Sequence, residues 1–216
     1  MAKRCTDELF ETASANSLPV AEKPLLIIVM GVSGSGKSTI AQLLVNALNL
    51  QLVANANANL NHAETMPCYH FIDADDFHDE QAKAMMAKQM PLTEQQRLPW
   101  INRMAKWLMQ RVNQQQHYVL AYSGLKKHHR DTFNNLGFRR LIIHLKVSQQ
   151  QLLGRLTKRS EQTNHFMPAS MLTSQFKDFE AIRGDEKGVI EIDADQSPDE
   201  VIAEIMQCLV KYQCEI

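Results

Sequence analysis

The sequence lacks the features that mark nucleic-acid-binding and membrane proteins. Its 216 residues contain 23 Lys and Arg against 24 Asp and Glu, so the chain has no excess of positive charge. Proteins that bind nucleic acid mainly through phosphate contacts usually carry such an excess, and we expect no nucleic-acid partner. The longest uninterrupted apolar run, residues 25–30, is far shorter than the roughly 20 residues that cross a membrane. We therefore expect no membrane partner either.

Cysteine is scarce, and no signal segment is visible. The cysteines at positions 5, 68, 208 and 214 form no CxxC pair, which predicts free thiols in a reducing compartment. Residues 1–24 are polar, contain acidic residues and have no apolar core, so they predict a flexible N-terminal leader. A cytoplasmic location is expected. The hydrophobic content of 44% is typical of a globular chain, and residues 25–216 are expected to form a single domain.

Short apolar runs alternate with amphipathic stretches through this domain. The predicted strands are residues 25–30, 70–73, 118–121, 141–146 and 189–192, which are too short for helices. Helical patterns lie between them, and Thr93, Ser148 and Ser197 are placed to cap three of the helices. This order predicts a three-layer α/β fold, a five-stranded parallel sheet covered by helices on both faces. An Ala/Asn-rich stretch is expected to form an inserted loop at about residues 54–66.

One glycine-rich stretch carries the strongest chemical signal. Residues 31–38 read GVSGSGKS, which fits GxxxxGK[ST], and they follow a predicted strand and precede a predicted helix. Such a loop turns successive backbone N–H groups toward an anion, and the helix N-terminus adds partial positive charge. The pattern predicts a P-loop for a nucleoside triphosphate, with Lys37 on the β- and γ-phosphates and the Ser38 hydroxyl on Mg²⁺. The loop residues predicted to bind the nucleotide are Gly31, Ser33, Gly34, Ser35, Gly36, Lys37 and Ser38.

Two carboxylates follow the second predicted strand. Asp73 and Asp75 are two residues apart at a strand end, so both are expected at the carboxyl edge of the sheet, beside the P-loop. We assign Asp73 to Mg²⁺ and Asp75 to an acceptor hydroxyl, as a base or orienting group. The sequence contains no NKxD motif of the small GTPases. A small-molecule kinase with a mobile lid is therefore favoured.

Basic residues follow at helical spacing. Lys126 and Arg130 are four residues apart, so on a helix they would share a face and bind an anionic acceptor. Arg155 and Arg159 have the same spacing and predict a lid, at about residues 155–168, that stabilises the transferring phosphate. A solvated basic face is the alternative for each pair. The histidines form no HxxxH or HxH pattern, so no metal site beyond Mg²⁺ is predicted.

Together these stretches resemble the gluconate kinase family, relatives of the shikimate and adenylate kinases. The matching segments are MGVSGSGKST, the D-x-D-D-F-H block, P-L-x-x-x-x-R-x-P-W, S-x-L-K-K-H-x-R-D and HFMPASMLTSQF. The resemblance implies Mg²⁺-dependent transfer of the ATP γ-phosphate to the 6-hydroxyl of gluconate by a homodimer. It implies ATP contacts from Gly34 to Thr39. The residues it assigns to the sugar acid are Asp75, His78, Arg97, Lys126, Arg130 and His165. The residues expected to act in catalysis are Lys37, Asp75, Arg130, Arg155 and Arg159.

The acceptor half departs from the family pattern at several positions, whereas the ATP half does not. Asp79 stands where members usually have Pro, and His129 stands where they usually have Tyr. Ala82, Met85 and Gln89 occupy positions where Asn, Lys and Gly are usual. Two alternatives therefore stay open: a kinase of another small sugar acid, and a non-catalytic nucleotide-binding regulator.

Overall fold

The structure, a computed structural model, describes residues 23–58, 68–88, 90–162 and 169–214. In chain order the elements are β1 (Leu25–Met30), α1 (Lys37–Ala58), β2 (Tyr69–Asp73), α2 (Glu80–Ala87), α3 (Glu94–Met109), β3 (His117–Tyr122), α4 (Lys127–Asp131), β4 (Arg139–Lys146), α5 (Gln149–Gln162), α6 (Ala169–Asp178), β5 (Val189–Asp193) and α7 (Pro198–Cys214). Short 3-10 helices occupy Ala74–Phe77 and Val112–Gln114.

The five strands form one parallel sheet in the order β2-β3-β1-β4-β5. In this sheet Ile28 of the central strand lies between Leu120 of β3 and Ile142 of β4. The predicted α/β fold and its parallel sheet are confirmed. Several strands run one or two residues beyond the predicted limits, to polar residues such as His117 and Arg139. Backbone pairing does not depend on the hydrophobicity of a side chain, so apolar runs mark the centre of a strand better than its ends.

The core lies on both faces of the sheet, which explains why the strands are apolar throughout. Ile27 and Val29 of β1 belong to the cluster that includes residues of α1 and α7. Their neighbours Ile28 and Met30 belong to the cluster on the other face, which includes residues of α3. All four side chains are buried. A strand covered on both faces needs apolar residues at every position rather than at alternate ones.

The first five residues of the predicted inserted loop at residues 54–66 are helical. Residues 54–58 continue α1, which ends at Ala58. The Ala/Asn alternation misled the prediction, because alanine is the strongest helix former and extends a helix that has already begun. Residues 59–66, the leader up to residue 22 and residues 163–168 of the predicted lid lie outside the described residues. No helix in the described part of the chain is long and apolar enough to span a membrane.

Helix capping follows the sequence where it was predicted. Thr93 and Gln96 form a reciprocal capping box at the start of α3. Ser197 and Glu200 do the same at α7, where the backbone N–H of Ser197 donates to the Glu200 carboxylate at 2.9 Å. These caps fix the helix starts on the two faces of the sheet. The carboxyl ends of β1, β2 and β3 then share one edge, and the residues that follow them form the candidate site.

Candidate active site

The glycine-rich loop between β1 and α1 is folded tightly on itself. A Cβ atom at Gly31 would lie 2.7 Å from the Ser35 hydroxyl oxygen and 3.1 Å from the Leu145 carbonyl, so only glycine fits there. Gly34 and Gly36 have φ values of 82° and 96°, which glycine adopts without strain. This backbone makes the concave turn that the P-loop motif requires, and α1 begins at its end with Lys37.

Two later helices brace this loop. Gln175 of α6 accepts a hydrogen bond from the Ser33 backbone N–H at 2.7 Å and donates to the Ser33 hydroxyl at 2.9 Å. Arg155 of α5 donates to the carbonyls of Ser35 at 3.2 Å and Ala194 at 2.6 Å. Arg155 was predicted to contact the transferring phosphate, and the structure places its guanidinium on the backbone of the loop. These contacts hold the loop in shape from the side of the predicted lid.

The structure does not describe the side chains of the other two residues predicted from the lid segment. Arg159 falls within α5, but its side chain lies outside the described part of the structure. His165 lies outside the described residues altogether. Their roles in catalysis and in acceptor binding stay predictions.

The predicted magnesium ligands are brought together. The Ser38 hydroxyl donates to Asp73 Oδ2 at 2.7 Å, although the two residues are 35 apart in the sequence. The other Asp73 oxygen accepts the backbone N–H of Asp75 at 3.0 Å, which orients the carboxylate. Lys37 Nζ donates to the Val32 carbonyl at 3.1 Å, across the loop. A hydroxyl next to a carboxylate at the end of a phosphate loop supplies the hard oxygen ligands that Mg²⁺ requires.

Asp75 lies beside this pair with 81% of its side chain exposed. Partial removal from water raises its pKa, and the negative charge of Asp73 raises it further. The raised pKa makes Asp75 a stronger base than an ordinary aspartate.

His78 forms the wall next to Asp75. Its ring stacks on Trp100 at a centroid distance of 4.2 Å, and its Nε2 lies 3.7 Å from Asp75 Oδ1. Burial lowers the His78 pKa, so the imidazole is neutral near pH 7. Its buried Nδ1 has no hydrogen-bond partner among the described residues. A neutral imidazole with an unused nitrogen suits a polar ligand without charge at that point, such as a sugar hydroxyl.

Two of the three cations predicted to bind the acceptor, Arg97 and Lys126, each hold a carboxylate of the protein. Arg97 pairs with Asp178 of α6 at 3.0 Å, and Lys126 pairs with Glu94 at 2.8 Å. Both pairs are partly buried, and both join elements that are distant in the sequence. A carboxylate substrate carries the same negative charge as these partners and accepts hydrogen bonds in the same way. It can therefore replace them on Arg97 and Lys126 without leaving either cation unpaired.

Arg130 occupies a different environment from the one predicted. Its guanidinium makes a bidentate pair with the Glu186 carboxylate, at 2.7 Å from Nε and 2.6 Å from Nη2. Its third nitrogen donates to the carbonyls of Gly124, Leu125 and Glu180. Each side chain of the pair is only 1% exposed. The described geometry makes Arg130 a support for the loop after β3, with no exposed surface to offer a substrate.

The expectation that Lys126 and Arg130 share a helix face is therefore wrong. The α4 helix begins at Lys127, and Lys126 is its N-cap residue with extended backbone dihedral angles. The Lys126 side chain reaches Glu94, whereas Arg130 points into the interior toward Glu186. An i, i+4 spacing places two residues on one face only when both lie inside the helix.

Asp79, the residue that departs from the family pattern next to His78, has a structural role. Its carboxylate accepts the Ala82 backbone N–H at 2.8 Å, as the N-cap of α2, and pairs with Arg103 at 3.1 Å. The backbone hydrogen bond from Ala82, followed by the contact with Arg103, lowers the Asp79 pKa. Its negative charge is therefore compensated locally.

Several residues of this site were not singled out from the sequence: Glu94, Gln175, Asp178 and Glu186. Each is a polar residue in an amphipathic helix or a loop, a position that is usually solvated. Only the three-dimensional contacts reveal their partners, since the sequence separations run from 32 to 142 residues. Gln175 lies within the HFMPASMLTSQF segment that carries the family resemblance, and no sequence signal distinguished the other three.

A phosphate loop, an adjacent hydroxyl–carboxylate pair and a nearby aspartate on a doubly covered parallel sheet define the class of P-loop small-molecule kinases. The comparisons agree with this class. A family model described as an AAA domain matches residues 26–182. A probable gluconokinase of Rattus norvegicus is 34% identical over 206 residues, covering 87% of this chain and 99% of the rat protein.

Other relatives extend the match. The gluconokinase of Gluconobacter oxydans is 31% identical, covering 86% of this chain and 91% of that protein. A crystal structure of a gluconokinase from Sinorhizobium meliloti superposes with a TM-score of 0.67 at 29% identity, covering 88% of this chain and 93% of that one. The chain belongs to the gluconokinase family.

Proposed function

We propose that this protein phosphorylates D-gluconate at the 6-hydroxyl, with ATP as the phosphate donor. The observation that carries the proposal is the convergence of the phosphate loop, the Ser38–Asp73 pair and Asp75 at one edge of the sheet. Membership of the gluconokinase family supports the choice of acceptor. ATP and Mg²⁺ are the cofactors that this site fits.

The loop amides and Lys37 hold the triphosphate. Thr39 follows Ser38 in the first turn of α1, where the helix N-terminus favours bound phosphate. Ser38 and Asp73 would hold Mg²⁺, which neutralises phosphate charge as the transferred group moves. Arg155 keeps the loop carbonyl of Ser35 in place, so we describe it as a positioning residue.

Asp75 orients the acceptor hydroxyl and accepts its proton. In the transfer step the bond between the sugar oxygen and the γ-phosphorus forms while the bond between that phosphorus and the β–γ bridging oxygen breaks. ADP leaves, and the hydroxyl proton passes to Asp75. The raised pKa of Asp75 suits this proton transfer better than that of an ordinary aspartate does.

The sugar acid lies between α3 and the start of α4. Its carboxylate would replace Asp178 on Arg97 or Glu94 on Lys126, and the neutral His78 would contact a hydroxyl. His165 and Arg159 are proposed to complete the site from the lid. We further propose that the protein acts as a homodimer in the cytoplasm. Light scattering of the purified chain tests the dimer.

The Asp75→Asn variant tests the site, with Asp76→Asn as its matched control. Both residues are exposed and adjacent, but only Asp75 is held against Asp73 and His78. Loss of a general base typically costs about 10²–10⁴-fold in rate, and we expect Asp75→Asn to lose kcat by such a factor. Asp76→Asn should keep its kcat within a few-fold. Equal effects of the two changes would contradict the proposed role of Asp75.

A further inference from the structure

Three metal-ligating side chains converge beside the acceptor region. Glu94 is the first residue of α3, and His128 and His129 are neighbours in α4. Both imidazole Nε2 atoms lie against the same carboxylate oxygen, Glu94 Oε1, at 2.8 Å for His128 and 2.5 Å for His129. One ligand atom from each of the three residues lies within 4.8 Å of the other two. The three potential ligand atoms therefore lie close enough together to share one ion.

The spacing of the histidines in the sequence did not indicate this cluster. Two adjacent histidines on a regular helix point in directions about 100° apart, so they rarely share a ligand. Here α4 spans only Lys127–Asp131, and the two rings contact each other at a centroid distance of 4.1 Å. Glu94 lies 34 residues before His128 and supplies the third group. The cluster therefore exists only in the folded chain.

We propose that Glu94, His128 and His129 form a binding site for a divalent transition-metal ion, with Zn²⁺ as the representative case. Two imidazoles and a carboxylate are the donor set that Zn²⁺, Co²⁺ and Ni²⁺ accept, whereas Mg²⁺ and Ca²⁺ prefer oxygen ligands alone. Three protein ligands leave a fourth position for water or another ligand. The site is separate from the Ser38–Asp73 pair, which offers only oxygen.

Accessibility and rigidity both favour binding. His129 is fixed in the interior, with 4% of its side chain exposed, whereas His128 is 54% exposed and Glu94 36%. An ion can therefore enter from the solvent past His128. The second oxygen of Glu94 is held by Lys126 at 2.8 Å, which orients the carboxylate toward the two rings. Such outer contacts keep metal ligands in position.

The experiment measures metal binding directly and does not depend on phosphotransfer. The full-length, untagged protein is stripped with a chelator and titrated with Zn²⁺ by calorimetry, with saturating Mg²⁺ present throughout. Co²⁺ serves as a spectroscopic probe, since a protein site of low coordination number intensifies its visible absorption. We expect one high-affinity equivalent of Zn²⁺ and a Co²⁺ spectrum that Zn²⁺ abolishes.

The ligands are tested one at a time. His128→Ala removes an exposed ring and should leave the fold intact, and Glu94→Gln keeps the side-chain volume. Each should weaken Zn²⁺ binding by about tenfold or more, since even outer contacts to metal ligands are worth about 10–100-fold. The matched control is His144→Ala, because His144 also lies against a glutamate, Glu191 at 3.2 Å, but without a second imidazole. This control should bind Zn²⁺ as the unchanged protein does.

Three results would overturn the proposal. The first is the absence of a saturable Zn²⁺ equivalent with micromolar or better affinity. The second is equal Zn²⁺ affinity in the unchanged protein, His128→Ala and Glu94→Gln, which would assign the ion to other histidines or cysteines of the chain. Circular dichroism of each variant shows whether the fold is retained. Loss of binding in His144→Ala alone would likewise count against the cluster.

Discussion

Replacing Glu186 by Gln tests the strongest structural conclusion about Arg130. The change keeps the size of the side chain and removes the charge that compensates a guanidinium with 1% exposure. Breaking a buried ion pair by removing one partner typically costs about 3–5 kcal/mol, because the other charge stays buried and uncompensated. The carbonyls that also accept from Arg130 carry only partial charges and cannot replace the carboxylate. We expect Glu186→Gln to lose free energy of unfolding in this range.

Folded domains typically have a free energy of unfolding of about 5–15 kcal/mol, so a loss of this size is easily measured. Urea unfolding is followed by circular dichroism and by the fluorescence of Trp100 and Trp107. The control is Glu80→Gln, which breaks an exposed pair with Lys83 at 3.1 Å and should cost no more than about 1 kcal/mol. A loss below about 1 kcal/mol in Glu186→Gln would contradict a buried Arg130 charge that depends on Glu186 for compensation.

A double replacement then separates a structural role from contact with the acceptor. Arg130→Met combined with Glu186→Leu removes both charges, and such apolar substitutions of buried pairs are often neutral or stabilising. We expect the double variant to recover most of the lost stability and to keep kcat/KM within about tenfold, or about 1.4 kcal/mol in transition-state free energy. Recovered stability with turnover abolished would return Arg130 to the acceptor site.

Two further predictions follow from the same structure. Gly31→Ala places a Cβ 2.7 Å from the Ser35 hydroxyl oxygen. We expect this variant to bind ATP more than about tenfold more weakly, as measured by calorimetry. The control is Gly154→Ala, where a Cβ meets nothing within 4 Å and ATP affinity should be unchanged. Desolvation raises the Glu186 pKa, but the hydrogen bonds from Arg130 and the Arg183 backbone, together with the Arg130 charge, outweigh it and lower that pKa. The contribution of Glu186 to stability is therefore complete above the ordinary glutamate pKa and is lost as pH falls through the lower folded value. Acid unfolding should therefore be less steep in Glu186→Gln, and identical acid profiles would contradict that assignment.

The parts that the sequence predicted are those determined by local pattern. The strands are short buried runs, and Leu25–Met30 matches its prediction residue for residue. The P-loop lies between a strand and a helix as its motif requires, and Asp73 meets Ser38 because parallel strands end at one edge of the sheet. In each case the neighbours in sequence, or the topology alone, decide the structure.

The contacts that could not be predicted depend on partners far along the chain. Arg130 was predicted to bind an anion from its spacing to Lys126 and from the family resemblance, whereas its partner Glu186 lies 56 residues further on. Lys126 and Arg97 were identified as cations of the acceptor site, but the carboxylates that now hold them could not be foreseen. A buried charge requires compensation, and sequence alone does not show which residue provides it.

The proposed phosphotransfer is tested most directly by acceptor-dependent ADP release from the purified protein with Mg-ATP. Gluconate, other sugar acids, shikimate and no acceptor are compared, with Lys37→Ala as the blank for the phosphate site. We expect strong stimulation by gluconate, little by shikimate, and none in Lys37→Ala. Stimulation only by a different sugar acid would contradict the assigned acceptor. Unchanged ADP release with every acceptor, in a protein that binds ATP, would contradict phosphotransfer itself and favour a nucleotide-binding regulator.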